Sequence, residues 1–135
     1  MYLFVYGTLK RGFVNHHLMP PTTFIGDAVT ASAIPLVIAG QWFSPVLIDE
    51  QGGGVRVEGE LHRIDADSLE MLDRLEGVGT ATGYDRREID VEHGDRTLVA
   101  SVYVKPWSRC TVVHSRALSR YAADDVYVPA HERHA

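Results

Sequence analysis

Phe4-Val5-Tyr6-Gly7-Thr8-Leu9-Lys10-Arg11-Gly12 begins as a strand and ends as a loop. Met1 to Tyr6 is apolar and rich in aromatic and branched residues, which predicts a buried first strand. Gly7 breaks it, because glycine takes backbone angles that other residues avoid and lets a ligand approach the main chain. A loop directly after a core strand is rigidly held and presents several N–H groups. Such groups can form a nest for a carboxylate or phosphate, and Lys10 and Arg11 place positive charge beside it. The same residues also read as a plain turn after a strand, and composition alone leaves both readings open.

Working outward, Asn15 to Met19 reads as one helical turn stopped by Pro20-Pro21. Thr22 to Ser32 reads as a strand bent at Gly26, and Ile34–Ile38 and Pro45–Ile48 as short apolar pieces. Gln51-Gly52-Gly53-Gly54 is the clearest turn. Val55 to Ile64 alternates, with Val55, Val57, Gly59 and Leu61 on one face and Arg56, Glu58, Glu60 and His62 on the other, as in a half-exposed strand. Arg86–Val91 and Thr97–Val104 flank Glu92-His93-Gly94-Asp95 as a hairpin. Ala117 to Ala123 reads as a short helix, and the chain from about Pro129 as a loose tail. About six or seven short strands with hairpin-scale links predict an α+β fold: a small mixed β-barrel with helices packed outside it.

Asp65 to Glu76 carries the strongest helical pattern. Asp67 as N-cap and Glu70 form a capping box, and Leu69, Leu72 and Leu75 form a core face. Glu70 and Arg74 are spaced to pair, and Gly77 suits a left-handed C-terminus. Glu76 stands apart. It falls on the inward face, four residues after Leu72, at the negative end of the helix dipole. With no cation one turn back, each influence favours the neutral acid, so its pKa is expected to rise. A glutamate tuned upward is suited to take and return a proton near neutral pH. Alternatively the helix stops one residue early, and Glu76 turns to water or pairs with Arg86 or Arg87.

The chain has 135 residues, 45% apolar and 23% charged, enough for one domain with a real core. A net charge of −5 argues against nucleic acid or an anionic membrane as partner. Arg109, Arg116, Arg120 and Arg133 read as solvated surface. Cys110 is the only cysteine, so no internal disulfide forms. No apolar run reaches transmembrane length, and Met1 leads straight into the first strand, so a cytoplasmic location is expected.

Two segments carry a resemblance. Val5 to Gly12 with Asn15-His16-His17-Leu18, and Asp73-Arg74-Leu75-Glu76-Gly77 with Tyr84-Asp85-Arg86, resemble the two signatures of the γ-glutamyl cyclotransferase-like family, most closely its γ-glutamylamine branch. Pro35–Gly40 and Val57–Leu61 resemble family segments in the same order, so the likeness covers about residues 2 to 104. It implies the family's barrel and its activity. A γ-glutamyl amine, such as γ-glutamyl-ε-lysine or another isopeptide, is cyclised to 5-oxoproline and the amine is released. It implies Glu76 as the acid/base and the Tyr6-Gly7-Thr8-Leu9 loop as the holder of the glutamyl group. Tyr84, with Tyr6, is expected to wall the pocket or to serve the core. The sequence departs from the pattern at Ile34, where an aromatic is expected, and in the Gly- and Thr-rich loop 77–83, which bears on the choice of amine.

No enzyme nucleophile, metal or cofactor is required, because the substrate's own amine attacks. The seven histidines show no convincing ligand spacing, Cys110 lacks a nucleophile signature, and no nucleophile elbow or phosphate loop is present. A monomer is expected. Two other functions fit the same residues: a non-catalytic domain that binds a glutamyl-like carboxylate, and a cyclotransferase that deprotects a biosynthetic γ-glutamyl intermediate.

Overall fold

The computed structural model describes residues 1–122 and 127–133. The strands are β1 (Tyr2–Val5), β2 (Thr23–Thr30), β3 (Leu36–Ala39), β4 (Ser44–Leu47), β5 (Glu58–Arg63), β6 (Asp85–His93) and β7 (Arg96–Val104), with one α-helix, α1 (Ala66–Leu75). Five strands close a barrel in the order β1-β5-β2-β6-β7, while β3 and β4 form a separate two-stranded sheet. The expected mixed barrel is therefore present, with two of the strands outside it.

An antiparallel ring must alternate direction, and an odd number of strands cannot do so all the way round. The seam falls between β1 and β7, which run parallel at Leu3 and Ser101. The consequence for the site is direct: the C-terminal ends of β1 and β7 emerge at the same rim. Beyond that pairing β7 turns to β4, where the N–H of Lys105 donates to the Leu47 carbonyl (2.9 Å).

Strand alternation sorts the core. Phe4 and Tyr6 face the barrel interior with Leu61, Val91 and Val102. Leu3 and Val5 face outward and are covered by Leu69 and Leu72 of α1. β1 is thus buried on both faces, as its unbroken apolar run predicts. Gly59 sits where a Cβ would come within 2.5 Å of the Val5 carbonyl oxygen and 2.8 Å of the Phe4 ring, so only glycine lets β5 approach β1 here. β2 bends as expected, with a register shift between Phe24 and Gly26.

Several expectations are corrected. The N-cap of α1 is Asp65, not Asp67: its carboxylate accepts the Ser68 N–H at 2.8 Å. Leu75 is 47% exposed, so the core face of α1 rests on Leu69 and Leu72. Glu60 and His62 are buried rather than solvated (8% and 2% exposed), because β5 lies between two barrel neighbours and its outer face is covered. Residues 117–122 form no helix. The chain instead runs along the open edge of β3, donating from His114 to Ile38 (2.7 Å) and from Leu118 to Leu36 (2.8 Å). Ala123 lies outside the described residues. Further on, Pro129 is buried and Ala130–Glu132 form a 3-10 turn. Among the described residues, no helix is long and apolar enough to cross a membrane.

Candidate active site

The rim where β1 and β7 emerge opens on a cavity of about 920 Å3. Tyr6, Gly7, Thr8, Leu9, Glu76 and Tyr84 all line it. Residues expected from two distant stretches of sequence therefore meet in one place.

The loop after β1 is well anchored and leaves donors free. Lys10 N–H bonds back to Gly7 (3.1 Å) and Asn15 N–H to Thr8 (3.0 Å). The Asn15 side-chain amide reaches the Thr8 hydroxyl (3.0 Å) and the Tyr127 hydroxyl (2.8 Å). The far end of the loop is held by Glu60, whose carboxylate accepts the Arg11 N–H (3.1 Å) and the His62 Nε2 (3.1 Å), while Arg11 Nε lies 3.5 Å away. His62 in turn meets the Thr22 hydroxyl at 3.0 Å. Among the described residues, no acceptor takes the N–H groups of Gly7, Thr8 or Leu9. Unpaired donors beside a cavity are the condition an anion-binding nest requires.

Glu76 is the C-cap of α1, and its N–H still bonds to Leu72 at 2.8 Å. The helix thus ends at Leu75, yet the side chain faces the cavity and neither arginine claims it. Arg86 pairs with Asp73 (3.0 Å), and Arg87 with Asp49 (3.2 Å). Burial lifts the Glu76 carboxyl to about 7, against a smaller downward pull from the Lys105 ammonium. Gly77 follows in the left-handed region (φ 70°) and releases the chain from the helix. The loop closes where the Tyr84 N–H donates to the Glu76 carbonyl (2.9 Å).

The two tyrosines have structural duties. The Tyr6 hydroxyl donates to the Tyr103 carbonyl (2.8 Å) and accepts the Leu47 N–H (3.4 Å), filling the gap where β7 leaves β1 for β4. The Tyr84 hydroxyl donates to the Pro45 carbonyl (3.0 Å). Burial keeps both phenols neutral, with pKa values pushed well above the ordinary range. They wall the cavity and serve the core together.

Three cations among the described residues line the cavity, and none was expected there from the sequence. Lys105 stands at the end of β7 with its ammonium 4.5 Å above the Tyr84 ring. Arg109 forks onto Asp85 (2.9 and 3.2 Å) and reaches the Gly83 carbonyl (3.0 Å), bracing the loop after Glu76. Arg133 lies over Trp42 at 5.2 Å and donates to the Val128 carbonyl at 3.0 Å. Arg109 and Arg133 were expected on the solvated surface, whereas both line the cavity. Arg116 and Arg120 are exposed, as expected. The available signal was slight: a lysine ending an apolar strand before Pro106. Among the described residues, no cluster of His, Cys, Asp and Glu is arranged to hold a metal.

The model of the family described as "Gamma-glutamyl cyclotransferase, AIG2-like" matches residues 3–123. The chain belongs to that family. A γ-glutamylamine cyclotransferase from Rattus norvegicus is 43% identical over 81 residues, covering 56% of this chain and 54% of the relative. The chain thus spans about half the length of that relative. A γ-glutamylamine cyclotransferase from Mus musculus is 33% identical over 140 residues, covering 97% of this chain and 87% of the relative. The crystal structure of an AIG2-like protein from Mus musculus superposes with a TM-score of 0.84 at 29% identity, covering 98% of this chain and 97% of that one. The γ-glutamyl cyclotransferase fold read from the two signatures is thereby established.

Proposed function

We propose that this protein is a γ-glutamylamine cyclotransferase. It closes the γ-glutamyl group of a γ-glutamyl amine to 5-oxoproline and frees the amine. One observation carries the reading. A carboxyl lifted to about 7 lines the same cavity as the unpaired N–H groups after β1.

The chemistry follows from those two features. The substrate's α-carboxylate binds the N–H groups of Gly7, Thr8 and Leu9, which directs its α-amine and γ-carbonyl toward Glu76. Glu76 as carboxylate takes a proton from the α-ammonium. The freed amine attacks the γ-carbon, forming the ring C–N bond. The bond from the γ-carbon to the leaving nitrogen then breaks as Glu76 returns the proton to that nitrogen. The second proton of the ring nitrogen passes through the same carboxylate to the freed amine, which departs as an ammonium beside neutral-ring 5-oxoproline. Atoms and charge balance, and Glu76 ends as it began. A base with a pKa near 7 exchanges protons in both directions close to neutral pH, which is what the two transfers require. Holding the folded conformer in a walled cavity supplies the advantage of proximity. Relatives carrying the name γ-glutamylamine cyclotransferase support the choice of substrate class. In this reading residues 1–135 act as one catalytic domain, a monomer in the cytoplasm.

The test is 5-oxoproline release from a panel of γ-glutamyl amines, with Glu76→Gln run beside the wild type. Removing a general acid/base is expected to lower kcat by about 10²–10⁴-fold while leaving substrate binding intact. A folded wild type that binds these amines and releases no 5-oxoproline would sink the enzymatic reading in favour of a binding domain.

A further inference from the structure

We infer that Lys105 is a specificity-determining residue that binds a carboxylate carried by the leaving amine. The inference rests on the cyclotransferase reading above and extends it to the amine half of the substrate.

The cavity's charges are not all held alike. Its cations are Lys105, Arg109 and Arg133. Arg109 is committed to Asp85 in a forked pair and to the Gly83 carbonyl. Arg133 is committed to the Val128 carbonyl and leans on Trp42 and Tyr127. Lys105 differs. Its backbone is pinned on both sides, the N–H to Leu47 (2.9 Å) and the carbonyl to Asp49 (3.0 Å). Its ammonium, by contrast, rests over the face of Tyr84 at 4.5 Å, with the Cys110 thiol and the Glu76 carboxyl near enough to act on it through charge alone. No described residue bonds to it, and it is not sealed from solvent, so it opens on the cavity. Tyr84 is itself fixed through its hydroxyl to Pro45, so the platform under the ammonium is rigid.

A half-buried ammonium without a hydrogen-bonded anion is in an unfavourable state, and a ligand carboxylate relieves it. Burial already draws the pKa of Lys105 down, which registers the same deficit. Glu76 does not fill the role, because burial holds it near half-protonation at neutral pH. Nor is the glutamyl carboxylate needed there, since the N–H groups after β1 provide for it. The cavity is also larger than a glutamyl group requires, and at about 920 Å3 has room for an amine of amino-acid size. The remaining unmatched charge therefore selects a leaving group that brings its own carboxylate.

The matched probes are γ-glutamyl-ε-lysine and γ-glutamylcadaverine, which differ only in that carboxylate. Both turnover and equilibrium binding are measured for wild type, Lys105→Met and Lys105→Arg. Wild type is expected to prefer the lysine compound by about tenfold or more, the scale of one hydrogen bond to a charged group. Lys105→Met should lose that preference by losing the lysine compound alone, and Lys105→Arg should restore most of it. Equal preference in wild type and Lys105→Met overturns the inference. So does an equal fall for both compounds, which would place Lys105 at the glutamyl end. If neither compound is turned over, the binding ratios still decide the role of Lys105, and only the enzymatic reading falls.

Discussion

The N–H of Tyr84 donates to the carbonyl of Glu76 at 2.9 Å, so the residue that ends α1 is hydrogen-bonded to the residue that leads into β6. The loop between them is closed at its neck and tightened inside by Thr80, whose hydroxyl donates to Gly77 (2.6 Å) and accepts from Gly83 (3.0 Å). The backbone of the proposed acid/base is thereby fixed from both sides, and its side chain is left to face the cavity.

That placement has a pH signature in both activity and stability. If Glu76 acts first as a base, kcat/KM should rise with pH through about 7 and then level. Stability should run the other way. The folded carboxyl titrates at about 7 against an ordinary 4.5, so between those values the folded state holds more protons. The contribution of Glu76 to stability is fully present below 4.5 and is lost as pH rises to 7, by on the order of 3 kcal/mol. Glu76→Gln removes the titration. Its Tm should exceed that of wild type at pH 8 and match it at pH 4, measured by thermal unfolding. A wild-type stability that is flat between pH 4.5 and 7 would contradict the raised pKa.

Tyr6→Phe removes the hydroxyl that joins the Tyr103 carbonyl to the Leu47 N–H. Both backbone groups are buried, so the loss is expected to cost about 1–3 kcal/mol in urea unfolding. Turnover per folded molecule should change little, because the hydroxyl is engaged in holding β7 to β4. A large fall in kcat at unchanged stability would instead make the hydroxyl a reacting group.

Glu60→Gln disturbs the anchor of the loop after β1 without touching the cavity. The carboxylate that receives Arg11 and His62 becomes an amide, and the loop that presents the Gly7–Leu9 donors loosens. KM should rise several-fold with kcat nearly constant, and the increase should be confined to substrates bearing the glutamyl α-carboxylate. Equal losses on a substrate lacking that carboxylate would mean that Glu60 merely supports the fold.

The cap of α1 gives a simple comparison. Asp65→Ala should lower Tm more than Asp67→Ala, because Asp65 holds the Ser68 N–H. That bond keeps the Asp65 carboxyl below its usual pKa, so its contribution is present near neutral pH and disappears in acid. Equal Tm changes for the two variants would return the cap to Asp67.

Much of the candidate site is written in local sequence. The first strand and its glycine break, the inward glutamate at the end of a helix, and the β6–β7 hairpin each depend on neighbours within a few residues. Periodicity, capping and turn chemistry report such neighbours directly. The residues missed were those whose environment is made by distant chain. Glu60 and His62 alternate with apolar residues like a solvated face, and they are buried because Arg11, Thr22 and Phe24 from elsewhere in the chain close over the outer face of β5. Ala117 onward reads locally as a short helix, but the open edge of β3 captures the chain through His114 and Leu118, and residues 117–122 form no helix.

The sequence by itself marked a glycine-broken loop after a core strand, open to a nest or a plain turn, and a carboxylate on the inward face at the end of a helix. Only the tertiary structure decided that the two share a cavity, and that Lys105, Arg109 and Arg133 line it with them. The physical reason is the seam. A five-stranded ring cannot be antiparallel throughout, so β7 runs parallel to β1, and its C-terminal lysine arrives at the rim from which Gly7 departs. No local pattern contains that constraint, because it is a property of the closed ring and not of any strand within it.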